Sequence, residues 1–238
     1  MLDPILDSPL HGGIETALVL IILIFLEAVL SADNAIALAA IAQGLEDSKL
    51  QQQALNIGLV VAYVLRISLI LTATWVANIW QFELLGAAYL LWLVFQYFTS
   101  TEDDSNEHHG PRFDSLLQAI PIIAFTDLAF SLDSVTTAIA VSQEIWLVLT
   151  GATIGIITLR FMAGLFIRWL DEYEHLEDAG YITVALVGLR LLLRVVNDQL
   201  VPPEWVMISA IALIFLWGFS QRIPNSPIEE PEKSKVQK

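Results

Sequence analysis

Four acidic residues lie where acids are expensive. Glu27, Asp33, Asp127 and Asp133 each sit inside a long apolar run. A charge at the centre of a bilayer costs between about 2.5 and 17 kcal/mol, depending on how it is measured. Such side chains face a bundle interior or water, and a role must offset their cost. Ser31 and Asn34 follow Glu27 at i+4 and i+7, and Ser131 and Ser134 follow Asp127 at the same spacing. Each trio therefore shares one face of an ideal helix. Asp33 and Asp133 point roughly 120° away from it at 3.6 residues per turn. Either each acid serves a different neighbour, or each helix breaks near 31–34 and 131–134 and frees carbonyls beside the carboxylates. Ser, Asp and Asn compete with helical hydrogen bonds, and both runs exceed what one span needs. A break or bulge in each is the expectation.

Carboxylate, hydroxyl, amide and carbonyl oxygens are hard ligands. They suit Mn, Ca or Mg and suit copper poorly. The expected metal ligands are Glu27, Asp33, Asn34, Asp127, Asp133 and Ser134, with Ser31 and Ser131 as a supporting polar shell. The same acids can carry protons, which would allow metal–proton exchange. Arg66, Arg160 and Arg190 also lie inside apolar runs and are expected to pair with the acids. The competing reading is structural: buried acid–arginine pairs can simply fix helix register. It is the stronger reading for the arginines and the weaker one for the acids. The run Glu102, Asp103, Asp104, Glu107, His108 and His109 reads as a solvated loop before it reads as a metal sensor. The seven tryptophans read as interface anchors. Gly58, Gly86, Gly151, Gly155, Gly164 and Gly188 read as points of close helix packing.

The elements that must position these residues follow from composition. Of 238 residues, 56% are hydrophobic and 16% charged, whereas a soluble domain has about a quarter charged. The net charge of -15 argues against nucleic acid as a partner. There is no cysteine, hence no disulfide framework or thiolate metal site. Residues 1–13 carry no Lys or Arg, so no cleaved targeting segment is read there. A bilayer core of about 30 Å needs roughly 20 apolar residues of helix. Seven stretches approach that: 14–42, 55–77, 79–98, 116–141, 145–170, 180–196 and the short 204–219. Lys49, Arg112, Arg168, Arg222, Lys233, Lys235 and Lys238 all fall on one side if the N-terminus is outside, so the orientation read is N-out, C-cytoplasmic. Arg194, near a helix end, is ambiguous.

The first and fourth stretches repeat at an offset of 100 residues. Glu27-Ala-Val-Leu-Ser31-Ala-Asp33-Asn34 matches Asp127-Leu-Ala-Phe-Ser131-Leu-Asp133-Ser134. At an offset of 94, Leu65-Arg66 matches Leu159-Arg160, and Glu83-Leu-Leu-Gly86 matches Glu177-Asp-Ala-Gly180. Three helices per unit is odd, so consecutive units would sit in opposite orientations. That is the inverted repeat of many secondary transporters, with a site near the midplane. The fold expected is all-α: a polytopic membrane bundle of about seven helices, two inverted three-helix repeats plus one extra helix. Its parts would be an extramembrane segment 1–13, repeats at 14–98 and 116–198, an acidic and His-containing loop at 99–115, a seventh helix at 199–222 and a disordered tail at 223–238.

The paired motifs around Glu27 to Asn34 and Asp127 to Ser134 resemble the signatures of the TerC family of membrane proteins. The likeness covers nearly the whole chain. It implies a transporter-like bundle of the LysE type with Glu27, Asp33, Asn34, Asp127, Asp133 and Ser134 at its site. It further implies manganese export, as for bacterial members, or thylakoid membrane protein assembly, as for plastid members. The family name refers to tellurium resistance, but carboxylates repel the tellurite anion, so a cation is the expected substrate and resistance would be indirect. The leading expectation is export of a divalent cation, manganese ahead of calcium, coupled to protons, from a plasma (inner) or thylakoid membrane. The rival is an assembly factor that binds other membrane proteins laterally. No nucleophile–base pair or HExxH motif is present, so no enzyme and no resident cofactor is expected.

Overall fold

A computed structural model of the chain describes residues 9–76, 79–99, 112–142 and 144–223. Within these, the side chains of 9–15, 26, 28–30, 32–33, 74–76 and 198 are outside the description. The acidic and His-containing stretch at 102–109 and the tail beyond 223 lie outside the described residues.

Among the described residues seven α-helices follow one another: α1 (Pro9–Gln43), α2 (Ser48–Val76), α3 (Trp80–Thr99), α4 (Leu116–Val141), α5 (Ile145–Leu170), α6 (Leu176–Val196) and α7 (Glu204–Gly218). A 3-10 turn at Asp198–Leu200 precedes α7. Among the described residues there is no strand, only an isolated bridge between Tyr173 and Arg222. The stretches predicted at 116–141 and 145–170 match α4 and α5. Helices α1, α2 and α6 begin earlier than hydropathy suggests. The polar turn Ser48 to Ala54 is already helical, because Lys, Leu, Gln and Ala are good helix formers whatever their polarity. Helices α2 to α6 each carry a stretch long and apolar enough to cross a membrane. Helix α7, at 15 residues, spans about 22 Å at 1.5 Å per residue, short of a 30 Å core.

The expected break does not occur. Helices α1 and α4 run without interruption through 31–34 and 131–134. Ser131, expected to disrupt α4, instead bonds a carbonyl of its own helix, and Thr136 does the same one turn on. Ser131 Oγ donates to the Asp127 carbonyl at 2.6 Å, and Thr136 Oγ1 to that of Leu132 at 2.5 Å. Back-bonding of this kind satisfies a buried hydroxyl at small cost to the helix.

Packing follows a scheme that exchange of the two helix triplets leaves unchanged. Helix α1 lies along α5, as α4 lies along α2. Helix α1 also touches α6, as α4 touches α3, while α1 meets α4, α2 meets α5, and α3 meets α6. Glycines permit these approaches. A Cβ on Gly58 of α2 would stand 2.6 Å from Ile123 Cγ2 on α4. Gly86 admits Leu132 of α4 in the same way that Gly180 admits Ile36 of α1. Gly164 differs from the expectation: its neighbour is Arg160 on its own helix, so it brings no second helix closer. The described tryptophans Trp80, Trp92, Trp146, Trp169, Trp205 and Trp217 are all exposed on the bundle surface, as anchors are and a binding cage is not.

The connections at 44–47, 112–115, 171–175 and 219–223 gather at one end of the bundle. Phe113 N–H donates to the Gly44 carbonyl at 2.8 Å, Gln43 Nε2 to Asp171 at 2.9 Å, and Arg222 Nη2 to Glu172 at 2.8 Å. Lys49, Arg112, Arg168 and Arg222 therefore share that end.

Overpacking a helix seam costs about 1–3 kcal/mol. Gly58→Val is expected to lower the thermal unfolding midpoint in detergent, while Gly164→Ala leaves it unchanged. Equal midpoints for the two variants would show that the α2–α4 seam does not need the glycine.

Candidate functional site

The most buried arginine organises the first group of charges. Arg66, 1% exposed, projects from the middle of α2 between α1 and α4. Its Nη1 pairs with Glu27 Oε1, and its Nη2 lies 3.0 Å from Asp127 Oδ1. Asp127 is fully buried and Glu27 nearly so. Ser131 Oγ lies 3.4 Å from the second Asp127 oxygen. Glu27 fits only because its neighbour on α5 is Gly155, where a Cβ would overlap Glu27 Cγ. The Arg66 Nε is buried without a hydrogen-bond partner. Two carboxylates against one guanidinium leave a formal charge of -1 in a medium that penalises it.

A small cavity of about 10 Å³ adjoins this triad, about the space one water needs. Glu27, Arg66 and Ser134 line it, with Leu23, Val148 and Gly151 among its apolar walls. These last residues lie toward the bundle end where α2 and α4 finish and α5 begins, opposite the basic end.

A second group forms on the next face of α4. Asp133 accepts from Arg190 Nη1 at 2.6 Å, and its other oxygen lies 2.6 Å from Arg194 Nη2. Arg194 Nη1 donates to Thr136 Oγ1 at 3.1 Å and lies 3.9 Å from Glu83 on α3. Arg190 Nη2 reaches 3.8 Å from Glu204 on α7. This group ties α3, α4, α6 and α7 together.

The predicted residues are thus divided. Glu27, Asp127 and Ser131 join at Arg66, and Ser134 faces the adjoining cavity. Ser31 and Asn34 are buried on α1. Asp133 belongs to the other group because it lies six residues from Asp127 on an unbroken helix, about 9 Å along the axis and on another face. The side chain of Asp33 lies outside the described residues. Among the described residues no three acids or histidines converge as a metal site. Arg66 and Arg190 pair with acids as expected. Arg160 does not: it donates to the amide oxygen of Asn56 on α2, half-buried between helices where no described carboxylate faces it. Sequence reasoning left Arg194 undecided and missed the roles of Glu204 and Thr136. The i, i+4 spacing of Arg190 and Arg194, which places both on one helical face, was the available signal.

Residues 13–224 match the model of the integral membrane protein TerC family. An uncharacterized membrane protein of Bacillus subtilis, YceF, is 31% identical over 80% of this chain and 75% of its own length. A second from that organism, YkoY, is 29% identical over 86% of this chain and 69% of its own. The chloroplastic thylakoid membrane protein TERC of Arabidopsis thaliana is 30% identical over 60% of this chain and 45% of its own. No solved structure matches significantly.

Removing one partner of a buried ion pair costs about 3–5 kcal/mol by stranding the other. Asp133→Asn is expected to lower the unfolding midpoint sharply, and adding Arg190→Gln to recover part of the loss. A double variant no more stable than the single would show that Arg190 gains nothing from Asp133. With the family match spanning nearly every described helix, the chain belongs to the TerC family of integral membrane proteins.

Proposed function

We propose that the chain carries a divalent cation, manganese ahead of calcium, across its membrane in exchange for protons. The observation that supports this is the Glu27–Asp127 pair. The sequence repeat makes the two acids equivalent, and both turn inward to one spot beside a cavity in a bundle of apolar helices. Intramembrane carboxylates of this kind mark ion pathways, and their hard oxygens suit Mn²⁺. Glu27 and Asp127 would supply the charged ligands, with Ser31, Asn34, Ser131 and Ser134 completing a polar shell. Asp33 is retained as a ligand on its sequence position alone. Asp133, held by two arginines, serves as a lock between α4 and α6 and not as a ligand in this state.

The symmetric packing scheme supports two inverted three-helix repeats with α7 added. Such repeats rock against each other around a fixed midplane site. The gathering of Lys49, Arg112, Arg168 and Arg222 at one end supports a cytoplasmic location for that end, by the excess of basic residues on cytoplasmic loops. The N-terminus would then be outside and the cavity would open outward. Export requires the site to reach the cytoplasmic end in a second state.

Mn²⁺ flux in proteoliposomes tests the reading, with and without a pH gradient. Wild-type flux is expected to follow the gradient, and Glu27→Gln with Asp127→Asn to reduce it to the protein-free background. Full flux in that variant would remove these acids from the mechanism. No wild-type flux of Mn²⁺ or Ca²⁺ from folded protein would favour the rival reading, a factor in membrane protein assembly.

A further inference from the structure

One guanidinium serves two carboxylates that the repeat makes equivalent, and it does so from the position a divalent cation would take between them. We infer that Arg66 is a tethered stand-in for the transported cation: it fills the Glu27–Asp127 pair when the site is empty and withdraws when the ion enters. This rests on the transport reading above.

Four observations carry it. Arg66 contacts both acids at once through separate Nη atoms. The repeat predicts a second such cation at Arg160, but that residue binds the neutral Asn56, so the pair of acids has a single resident cation. The grip is incomplete, because Arg66 Nε has no hydrogen-bond partner though it is buried, and guanidinium has five N–H groups to satisfy. The adjoining cavity is lined by Arg66 itself together with Glu27 and Ser134, so an ion arriving there meets the guanidinium before it meets Asp127.

Charge arithmetic gives the device a purpose. Two bare carboxylates carry -2, and moving that charge through a low-dielectric barrier is prohibitive. With Arg66 in place the empty site carries -1, which one proton neutralises. With a divalent cation in place of the guanidinium, ion and carboxylates sum to zero, and the withdrawn Arg66 keeps its own +1 outside the pair. An empty carrier can therefore return with one proton and without a second metal ion. A purely structural Arg66 would fix helix register and compete with nothing.

The full chain in detergent is titrated with Mn²⁺ by calorimetry. In proteoliposomes, net Mn²⁺ flux and Mn²⁺/Mn²⁺ counterflow are measured side by side. Apparent affinity is reduced by the fraction of sites that the stand-in occupies. Arg66→Met is therefore expected to bind Mn²⁺ at least about tenfold more tightly, to keep counterflow and to lose net flux. Arg66→Lys, whose single ammonium cannot fork across two carboxylates, is expected to bind more tightly than wild type and to keep part of the net flux. It decides the matter if the methionine variant does not fold. Binding that is unchanged or weaker in the folded variants, or counterflow that falls together with net flux, overturns the inference and leaves the transport reading standing. Wild-type protein that neither binds nor carries Mn²⁺ overturns both.

Discussion

The attraction between one buried guanidinium and two buried carboxylates is the constraint on which this bundle depends. Each of the three groups would be intolerable alone in an apolar interior. Together they are tolerable, and the helices must hold them together. Helix α2 brings Arg66 to the middle of the bundle, where α1 and α4 meet it with Glu27 and Asp127. Gly155 thins α5 so that Glu27 can pass, and Gly58 lets α2 lie directly on α4. The seams of α1 with α5 and of α2 with α4 are the ones these contacts require.

The second charge group shows how the rest of the molecule is attached to that centre. Asp133 stands on the same unbroken helix as Asp127, so a movement of α4 that alters one group must alter the other. Arg190 and Arg194 carry the connection to α6, Glu83 to α3 and Glu204 to α7. Helix α7 lies outside the repeat and is too short for a full span, yet through Glu204 it reaches the charge network. The two groups together contain more acids than arginines, which leaves an excess of negative charge for a cation to answer.

Much of this was legible in the sequence because the bilayer makes residue type so informative. The apolar runs are helical among the described residues, five of these helices are long and apolar enough to span a membrane, and the runs read at about 116–141 and 145–170 coincide with α4 and α5. The motif repeat singled out Glu27, Asp33, Asp127 and Asp133 alike, since acids in apolar runs must be paired; of these, Glu27 and Asp127 meet at Arg66, and Asp133 does not join them. What could not be read was which partner each acid takes. Arg66, Arg160 and Arg190 were all expected to meet acids, but Arg160 bonds Asn56, and no one-dimensional pattern records that. The predicted helix breaks failed for a related reason. Ser131 and Thr136 can disrupt a helix or cap its carbonyls, and the choice depends on whether another acceptor lies within reach.

On this reading the space now held by Arg66 is a cation site. Anomalous scattering from the protein crystallised with Mn²⁺ tests it most directly. The account predicts a manganese peak between the Glu27 and Asp127 carboxylates, with the Arg66 guanidinium withdrawn from both. A structure with manganese bound elsewhere and Arg66 still bridging the two acids would contradict it.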